Sequence, residues 1–299
     1  MTFPYDYAVI GGDLRQVYLA EKLANKENRV CHYALCAPLD ARRCTGLSSV
    51  TAMDSPEEIC RISACIICPI PFCKKGTFLN QSVLDKDLPV NQLLSDLHSG
   101  QYFFGGCIPE DFKTAAREKG VRVFDLMEIS SLALFNSIAT AEGAICEAIK
   151  RSPLNLHQSS CAILGYGKCG RTLACYLKGM FCRLYAAARK ERDRAEAALL
   201  GARTGSLEDF ETCAGEFDFI FNTIPSTVIT SDILAKLKST VTIIDIASAP
   251  GGVDFASAEK LGVNAVLCPG LPGKYAPASS AGAIKETIEN ILKEDSKCL

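Results

Sequence analysis

The sequence predicts an α/β protein made of two doubly wound domains, each a parallel sheet with helices on its faces. Short apolar runs alternate with helical or loop segments along most of the chain, which is typical of parallel sheets. Two of these runs, at residues 7–10 and 161–164, lead directly into glycines and then into a helical stretch. The length of 299 residues is sufficient for two domains of ordinary size.

The first strand–glycine–helix unit lies at the start of the chain. Residues 7–10 predict a strand, Gly11–Asp13 a turn, and residues 14–25 a helix. Because this turn lacks the third glycine of a dinucleotide-binding loop, we interpret it as a related architecture that does not cradle a dinucleotide. Further strands are predicted at residues 30–35, 62–68, 102–104 and 121–124. Segment 69–101, with its prolines and glycines, is predicted to be mostly irregular, and so long a connection is often functional.

Two long helices set the predicted domain borders. Residues 130–150 predict an apolar helix whose later part carries the chain into the second domain, and Pro153 ends it. Residues 278–293 predict an amphipathic helix with Ile284 and Ile288 on its apolar face, which we expect to return to the first domain. The predicted domains are therefore residues 1–135 plus 279–299, and residues 136–278, with a cleft between them.

The second strand–glycine–helix unit carries a complete dinucleotide-binding pattern. Gly165 permits a tight turn, Gly167 lets the backbone approach a pyrophosphate, and Gly170 lets helix and strand pack closely. The pyrophosphate would lie at the start of helix 171–180, where free N–H groups favour an anion. The remaining strands are predicted at residues 184–188, 217–222, 241–246 and 264–267. This Rossmann domain is predicted to contact its cofactor through Gly165, Tyr166, Gly167, Lys168, Cys169 and Gly170.

The residue after the second strand indicates which dinucleotide binds. NAD sites place a carboxylate there to accept the ribose 2′-hydroxyl, whereas this sequence has Arg189, then Lys190 and Arg192. A guanidinium binds a 2′-phosphate that a carboxylate would repel. The pattern therefore favours NADP. The alternative is a basic surface loop diluted by Glu191 and Asp193.

Ligands of doubly wound sheets bind beyond the carboxyl ends of the strands, which identifies further candidate residues. In the second domain these are Thr223, Ile224 and Pro225, expected near the nicotinamide and its ribose, and Ala247. A plain strand-ending turn is an equally good interpretation of residues 222–225. In the first domain, Arg15 is either a ligand for a substrate carboxylate or a solvated helix charge.

Two stretches are expected to line the cleft. Residues 136–143 offer hydrogen-bonding groups around an expected helix start, where they could bind an anion or merely cap the helix; they are Asn136, Ser137, Thr140 and Glu142. Glu142 could also act as a general base. Residues 270–274 form a glycine- and proline-rich loop containing Gly273 and one cation, Lys274, which could clamp a carboxylate or donate a proton.

Composition narrows the functional class. Hydrophobic residues make up 48% of the chain, charged residues 22%, and the net charge is −2, so nothing suggests nucleic acid. We expect a cytoplasmic protein, because no signal peptide or membrane span is evident. The 16 cysteines are interpreted as buried structural thiols rather than metal ligands, since most stand in apolar runs; examples are Cys65, Cys68, Cys161, Cys175 and Cys182.

Five blocks in register resemble the family of the dipicolinate synthase A subunit. They are Val9–Gln16 (VIGGDLRQ), Asn136–Gly143 (NSIATAEG), Asn222–Pro225 (NTIP), Ile244–Gly252 (IDIASAPGG) and Pro269–Lys274 (PGLPGK). Two departures are Lys168-Cys169 in the glycine loop and Ala139 where the family pattern has proline. The resemblance implies NADP-dependent oxidation of a cyclic dihydro- or hydroxytetrahydro-dipicolinate to pyridine-2,6-dicarboxylate during sporulation, in the mother-cell cytoplasm. It also implies a smaller partner, the dipicolinate synthase B subunit, and we expect a homo-oligomer.

That reaction would need two carboxylate clamps and a base. Our candidates are Arg15 and Lys274 as clamps, Ser137 and Thr140 as helpers, and Glu142 as base. Because this acid–base set is weak, a non-catalytic NADP(H)-binding scaffold or sensor remains an alternative, with the chemistry in the B subunit. An unrelated imine or 2-hydroxy-acid dehydrogenase is disfavoured, because it would have a histidine near the cleft and none of the three histidines lies in a predicted ligand turn.

Overall fold

The computed structural model describes residues 3–35, 49–74, 76–85 and 87–297. The described chain divides into two compact units, one running to Phe135 and resuming at Ala276, the other spanning Asn136–Tyr275. The second border lies three residues earlier than expected from the sequence. Each unit contains its own six-stranded sheet, in which all neighbouring strands run parallel.

The first unit holds eight strands among its described residues. They are β1 (Tyr5–Ile10), β2 (Val30–Tyr33), β3 (Thr51–Ala52), β4 (Ser63–Ile67), β5 (Cys73–Lys74), β6 (Phe78–Leu79), β7 (Tyr102–Gly105) and β8 (Arg122–Asp125). The sheet order is β3-β2-β1-β4-β7-β8, and β5 and β6 form a separate antiparallel pair. The helices that follow these strands are α1 (Leu14–Leu23), α2 (Pro56–Ile62), α3 (Val90–Asp96) and α4 (Glu110–Glu118). Helix α5 (Ser130–Arg151) begins in this unit and continues into the second.

The second unit repeats the same topology. Its strands are β9 (Ser160–Leu164), β10 (Arg183–Ala187), β11 (Arg203–Gly205), β12 (Phe219–Asn222), β13 (Thr242–Asp245) and β14 (Asn264–Leu267). Its remaining helices are α6 (Lys168–Gly179), α7 (Glu191–Leu199), α8 (Leu207–Cys213), α9 (Ser231–Leu234), α10 (Phe255–Lys260) and α11 (Leu271–Tyr275). The order β11-β10-β9-β12-β13-β14 corresponds to 3-2-1-4-5-6, the arrangement of dinucleotide-binding sheets.

Both sheets are covered on both faces, which explains their nearly continuous apolar strands. Alternate residues of β9 enter two different cores: Ile163 faces one with Leu173, while Leu164 faces the other. The first unit divides its core in the same way around β1. There the last helix, α12 (Pro277–Lys297), packs Ile284 and Ile288 into the core that contains α1.

Several short elements differ from the sequence prediction. The sequence did not reveal β11, because Arg203–Gly205 contains no apolar run. Segment 69–101 holds helix α3 and the β5–β6 pair, so it is more regular than expected. The stretch expected to be a loop before the last helix contains α11. Such short elements are fixed by packing more than by local propensity.

The cysteines that the structure describes are free thiols. Cys65, Cys68, Cys161 and Cys182 are buried as expected, and burial raises the pKa of Cys65 to about 12. The expectation for Cys175 is wrong, since it is exposed. Helix α6 turns Leu173, Ala174 and Leu177 inward, and this spacing places residue 175 on the opposite face.

Helix α5 is the one described helix that is long and apolar enough to cross a membrane by length and composition. Its most apolar window has a mean hydropathy of 1.3, and 61% of that window is buried inside the structure. Such burial is expected for a core helix of a folded protein.

Candidate dinucleotide-binding site

The glycine turn between β9 and α6 has the geometry that each glycine position requires. Gly165 adopts a φ of +90°, and a Cβ there would lie 2.3 Å from Thr223 Oγ1. A Cβ at Gly170 would lie 2.2 Å from the carbonyl oxygen of Gly165, so any side chain would separate helix from strand. By contrast, no described atom lies within 4 Å of a Cβ built at Gly167. The turn is therefore tight where it must pack and open where a pyrophosphate would approach.

The start of α6 is available to an anion. Gly167 is the N-cap in extended conformation, and no described side chain caps the helix there. Gly167 and Lys168 are exposed, and the first turn contains no acidic residue. Cys169 is partly buried, and burial raises its pKa. The free N–H groups and the helix dipole thus face solvent without an internal negative partner from the described residues.

A cavity of about 400 Å³ adjoins this turn, entirely within the second unit. It is lined by Gly165, Tyr166, Ala188, Arg189, Lys190, Asp193, Leu207, Ile224, Pro225, Ser226 and Val228. One wall is apolar, as suits a nucleotide base, and the end of β10 supplies two cations. The residues present therefore fit the nucleotide half of a dinucleotide.

The basic residues after β10 differ in their availability. Arg189 and Lys190 are exposed on the cavity, and neither side chain has a partner among the residues that the structure describes. Arg192 does not line the cavity, and its Nε donates to Glu196 Oε1 at 3.0 Å within α7. Two of the three predicted cations therefore border the cavity.

The turn after β12 is held by two buried polar residues that the sequence analysis did not single out. Asn222 Nδ2 donates to Asp245 Oδ1 at 2.9 Å and to the Ile224 carbonyl at 3.0 Å. The Asp245 carboxylate also accepts N–H groups from Ala247 at 3.0 Å and Gly252 at 2.7 Å. The sequence feature that could have identified them is an Asn and an Asp at the ends of two apolar strands. Together they fix both candidate cofactor turns.

Within those turns the predicted residues occupy different positions. Thr223 Oγ1 donates to the Leu164 carbonyl at 3.0 Å, which places the threonine against the glycine turn. Ile224 and Pro225 line the cavity. Ala247 is buried and is not among the cavity-lining residues, so its described role is to bond Asp245 through its N–H.

The expectation that residues 136–143 surround a helix start is wrong, because they lie inside α5. Thr140 Oγ1 donates to the Asn136 carbonyl one turn earlier at 2.8 Å. Ser137 is buried, and its Oγ lies 2.7 Å from Thr172 Oγ1 on α6. These hydroxyl groups cap no helix. The helix begins at Ser130, as the apolar stretch 130–150 predicts, so these polar residues lie in its interior.

Glu142, the predicted base, is exposed on α5 and accepts a hydrogen bond from Tyr176 Oη at 3.0 Å. Burial and this carboxylate raise the pKa of Tyr176. In the described geometry, Glu142 ties α5 to α6.

Lys274, predicted to clamp a substrate carboxylate, pairs instead with the buried carboxylate of Glu147. Tyr275 Oη donates to Glu147 Oε1 at 2.6 Å, and Arg151 Nε donates to Oε2 at 3.1 Å. Hydrogen bonds from Lys274 and Tyr275 lower the pKa of Glu147 to about 2. Sequence analysis missed Glu147 because it stands in an apolar helix without a motif.

Two glycines lie close to Glu147 and Lys274 in the sequence, Gly143 on α5 and Gly273 on α11. A Cβ at Gly143 would lie 2.9 Å from both Leu271 Cβ and Tyr275 Cδ2, so this glycine lets α11 lie directly against α5. Gly273 is buried within α11. Gly143 therefore serves packing in the described structure.

In the first unit, the corresponding turn after β1 is filled from within. The Asp13 carboxylate accepts the Arg15 backbone N–H at 3.0 Å and pairs with the Arg15 guanidinium at 2.8 Å. That guanidinium is buried and also donates to the Ile70 carbonyl. The Gly12 N–H donates to the Asn80 carbonyl at 2.8 Å. Arg15 is thus an internally paired group rather than a solvated charge.

Family models match two stretches of the chain. Residues 6–127 match the N-terminal domain of the dipicolinate synthase A subunit. Residues 134–254 match the NAD-binding domain of D-isomer specific 2-hydroxyacid dehydrogenases. The predicted fold class is confirmed: the chain has two parallel-sheet α/β domains, the second a nicotinamide dinucleotide-binding domain of the dehydrogenase type.

Relatives that match nearly the whole chain are dipicolinate synthase A subunits. The chain is 29% identical to the dipicolinate synthase A subunit of Bacillus subtilis (strain 168) over 295 residues, which is 96% of this chain and 95% of that protein. The crystal structure of the dipicolinate synthase A subunit from Bacillus halodurans has a TM-score of 0.82 at 26% identity, covering 98% of this chain and 99% of that one. The crystal structure of the Bacillus subtilis counterpart gives a TM-score of 0.81 at 26% identity, covering 100% and 99%. The predicted resemblance to the dipicolinate synthase A subunit is therefore confirmed over nearly the whole chain.

Proposed function

We propose that this protein is an NADP-dependent oxidoreductase that oxidises a cyclic dihydro- or hydroxytetrahydro-dipicolinate to pyridine-2,6-dicarboxylate. The likeness to the dipicolinate synthase A subunit supports the reaction class and the link with sporulation. It also supports a partner, the dipicolinate synthase B subunit. We place the protein in the mother-cell cytoplasm and expect it to form a homo-oligomer.

The observation that carries the cofactor assignment is the charge at the end of β10. Arg189 and Lys190 border the cavity beside an open glycine turn, at the position where NAD sites hold a carboxylate. A 2′-phosphate carries up to two negative charges, and two cations without described partners stabilise it. The ribose of NAD would find no carboxylate acceptor at this position.

When bound, NADP⁺ supplies the hydride acceptor for the oxidation. The chain's part is to hold the pyrophosphate at the start of α6 and the 2′-phosphate at Arg189 and Lys190. The Asn222–Asp245 pair fixes the turn in which Thr223, Ile224 and Pro225 lie. We retain Arg15, Asn136, Thr140 and Gly273 as proposed substrate-binding residues, and Ser137, Glu142 and Lys274 as proposed catalytic residues. Lys274 and Arg15 would act only after exchanging their internal partners.

The test is nicotinamide absorbance during incubation of the purified chain with the cyclic precursor and either NADP⁺ or NAD⁺. We expect reduction of NADP⁺, and an Arg189→Ala variant should lose roughly tenfold or more in NADP affinity. Arg203→Ala is the matched control, since Arg203 pairs with Glu216 and does not line the cavity. Failure of the wild-type chain to bind either nucleotide would contradict the proposal.

A second candidate function is a non-catalytic NADP(H)-binding scaffold or sensor for the B subunit. The observation that favours it is the internal pairing of the two charged residues proposed for catalysis, Glu142 with Tyr176 and Lys274 with Glu147. Nucleotide binding without turnover, both alone and with a B subunit carrying a disabled site, would support this candidate. Turnover by the chain alone would exclude it.

A further inference from the structure

The acidic residues beside the proposed phosphate site need an explanation. Asp193 lines the same cavity as Arg189 and Lys190, and Glu196 follows one turn later on α7. An unpaired carboxylate beside the phosphate site would repel a 2′-phosphate and offset the attraction of Arg189 and Lys190. In the sequence alone, Asp193 only dilutes the basic pattern after β10.

One arginine outside the cavity engages both acids. Arg171 Nη2 lies 2.6 Å from Asp193 Oδ1, and its Nη1 lies 2.9 Å from Glu196 Oε2. The third nitrogen of the guanidinium group, Nε, donates to the Tyr166 carbonyl of the glycine turn at 3.0 Å. The guanidinium carbon lies 5.7 Å from the centre of the Tyr166 ring.

We propose that Arg171 determines the preference for NADP by neutralising Asp193 and Glu196, which leaves Arg189 and Lys190 free to bind the 2′-phosphate. This inference rests on the proposed function. Arg171 is a positioning residue, because it acts through the two acids and the glycine turn. Arginine suits this role, since its planar fork can meet two carboxylates and a carbonyl at once.

The experiment measures dissociation constants for NADPH and NADH by fluorescence titration of the purified chain. For Arg171→Gln we expect the NADPH affinity to fall roughly tenfold and the NADH affinity to change by less than about threefold, because only NADPH carries the repelled phosphate. Removing the acids as well, in Arg171→Gln with Asp193→Asn and Glu196→Gln, should restore NADPH affinity to within about threefold of wild type. High salt should reduce the difference in NADPH affinity between Arg171→Gln and the wild type, because salt screens the repulsion.

The matched control is Arg203→Gln. Arg203 also pairs with a glutamate, Glu216 at 2.8 Å, and lies over an aromatic ring, that of Tyr185 at 5.0 Å. It does not line the cavity. We expect this variant to bind both nucleotides as the wild type does.

Equal losses for NADPH and NADH in Arg171→Gln would overturn the inference, because they would show that Arg171 merely anchors the glycine turn. Failure of the triple variant to recover, or an unchanged single variant, would overturn it as well. Should Arg171→Gln not fold, Arg171→Lys retains a cation beside the acids and must keep the NADPH preference. A wild-type chain without that preference would refute the cofactor assignment itself, before any variant is measured.

Discussion

The two strand–glycine–helix turns of this molecule share a topology but differ at the N-cap residue, which directly precedes the helix. In the first unit, the Asp13 side chain caps α1 and pairs with Arg15. In the second unit, Gly167 stands at the corresponding position of α6, and no described side chain caps the helix. The surroundings of the two turns also differ. In the first unit, the carbonyl of Asn80, which follows β6, accepts the Gly12 N–H; in the second unit, Gly167 faces open space.

This difference shows how one architecture gains or loses a dinucleotide site. The start of a helix attracts a negative charge, and that charge can come from the protein or from a ligand. Asp13 supplies it internally, and the turn then serves stability. Gly167 leaves it to a ligand, at the cost of an uncapped helix end.

The largest effect is expected when the second turn is made to resemble the first. Gly167→Asp places a carboxylate at the N-cap, where a side chain meets no described atom. It should cap α6 and repel the pyrophosphate, so NADPH affinity should fall roughly a hundredfold while the melting temperature is kept or raised. Fluorescence titration and thermal unfolding check both. Gly167→Ala is the control without charge, and equal affinity for the aspartate variant and wild type would contradict the comparison.

A smaller effect is expected from the buried carboxylate of the second unit. Glu147→Gln should lower the free energy of unfolding by about 2–3 kcal/mol at neutral pH and leave NADPH affinity unchanged. The pKa of Glu147 is about 2, below its ordinary value, so its contribution is complete above about pH 5 and is lost as pH falls toward 2. The difference between variant and wild type should therefore narrow on acidification.

Denaturant unfolding across this pH range measures the effect. The control is Glu211→Gln, which breaks an exposed pair with Lys236 and should cost less than about 0.5 kcal/mol. A difference that stayed constant between about pH 6 and pH 3 would show that Glu147 acts through packing rather than through charge.

The smallest effect is expected from the first turn. Asp13→Asn retains a capping group but removes the charge that faces the buried Arg15, which should cost about 1–2 kcal/mol in unfolding free energy. NADPH affinity should not change, because Asn80 still occupies the Gly12 N–H. Appearance of a second nucleotide site, measured as stoichiometry by calorimetry, would show that Asp13 alone closes this turn.

The repeated α/β architecture, the glycine turn and the basic residues after β10 could be predicted from the amino-acid sequence. These features follow from local rules. Buried parallel strands are apolar runs, and glycine is needed at position 170, where a Cβ would lie 2.2 Å from the Gly165 carbonyl oxygen. The family resemblance also depended on short blocks whose order is visible in the chain.

Which charged groups are available to a ligand depends on the folded structure and could not be predicted from the sequence. Lys274 is the one cation of its predicted loop, yet Glu147, 127 residues away in sequence, neutralises it. Arg15 pairs with nearby Asp13, but its guanidinium also donates to the distant Ile70 carbonyl. Arg171 lies 22 residues before Asp193, and no local pattern predicts that they meet. A charge is free or paired according to contacts between distant segments, and these contacts arise when helices and strands pack. Sequence patterns reveal residue types and periodicity, whereas pairing is a property of the folded chain.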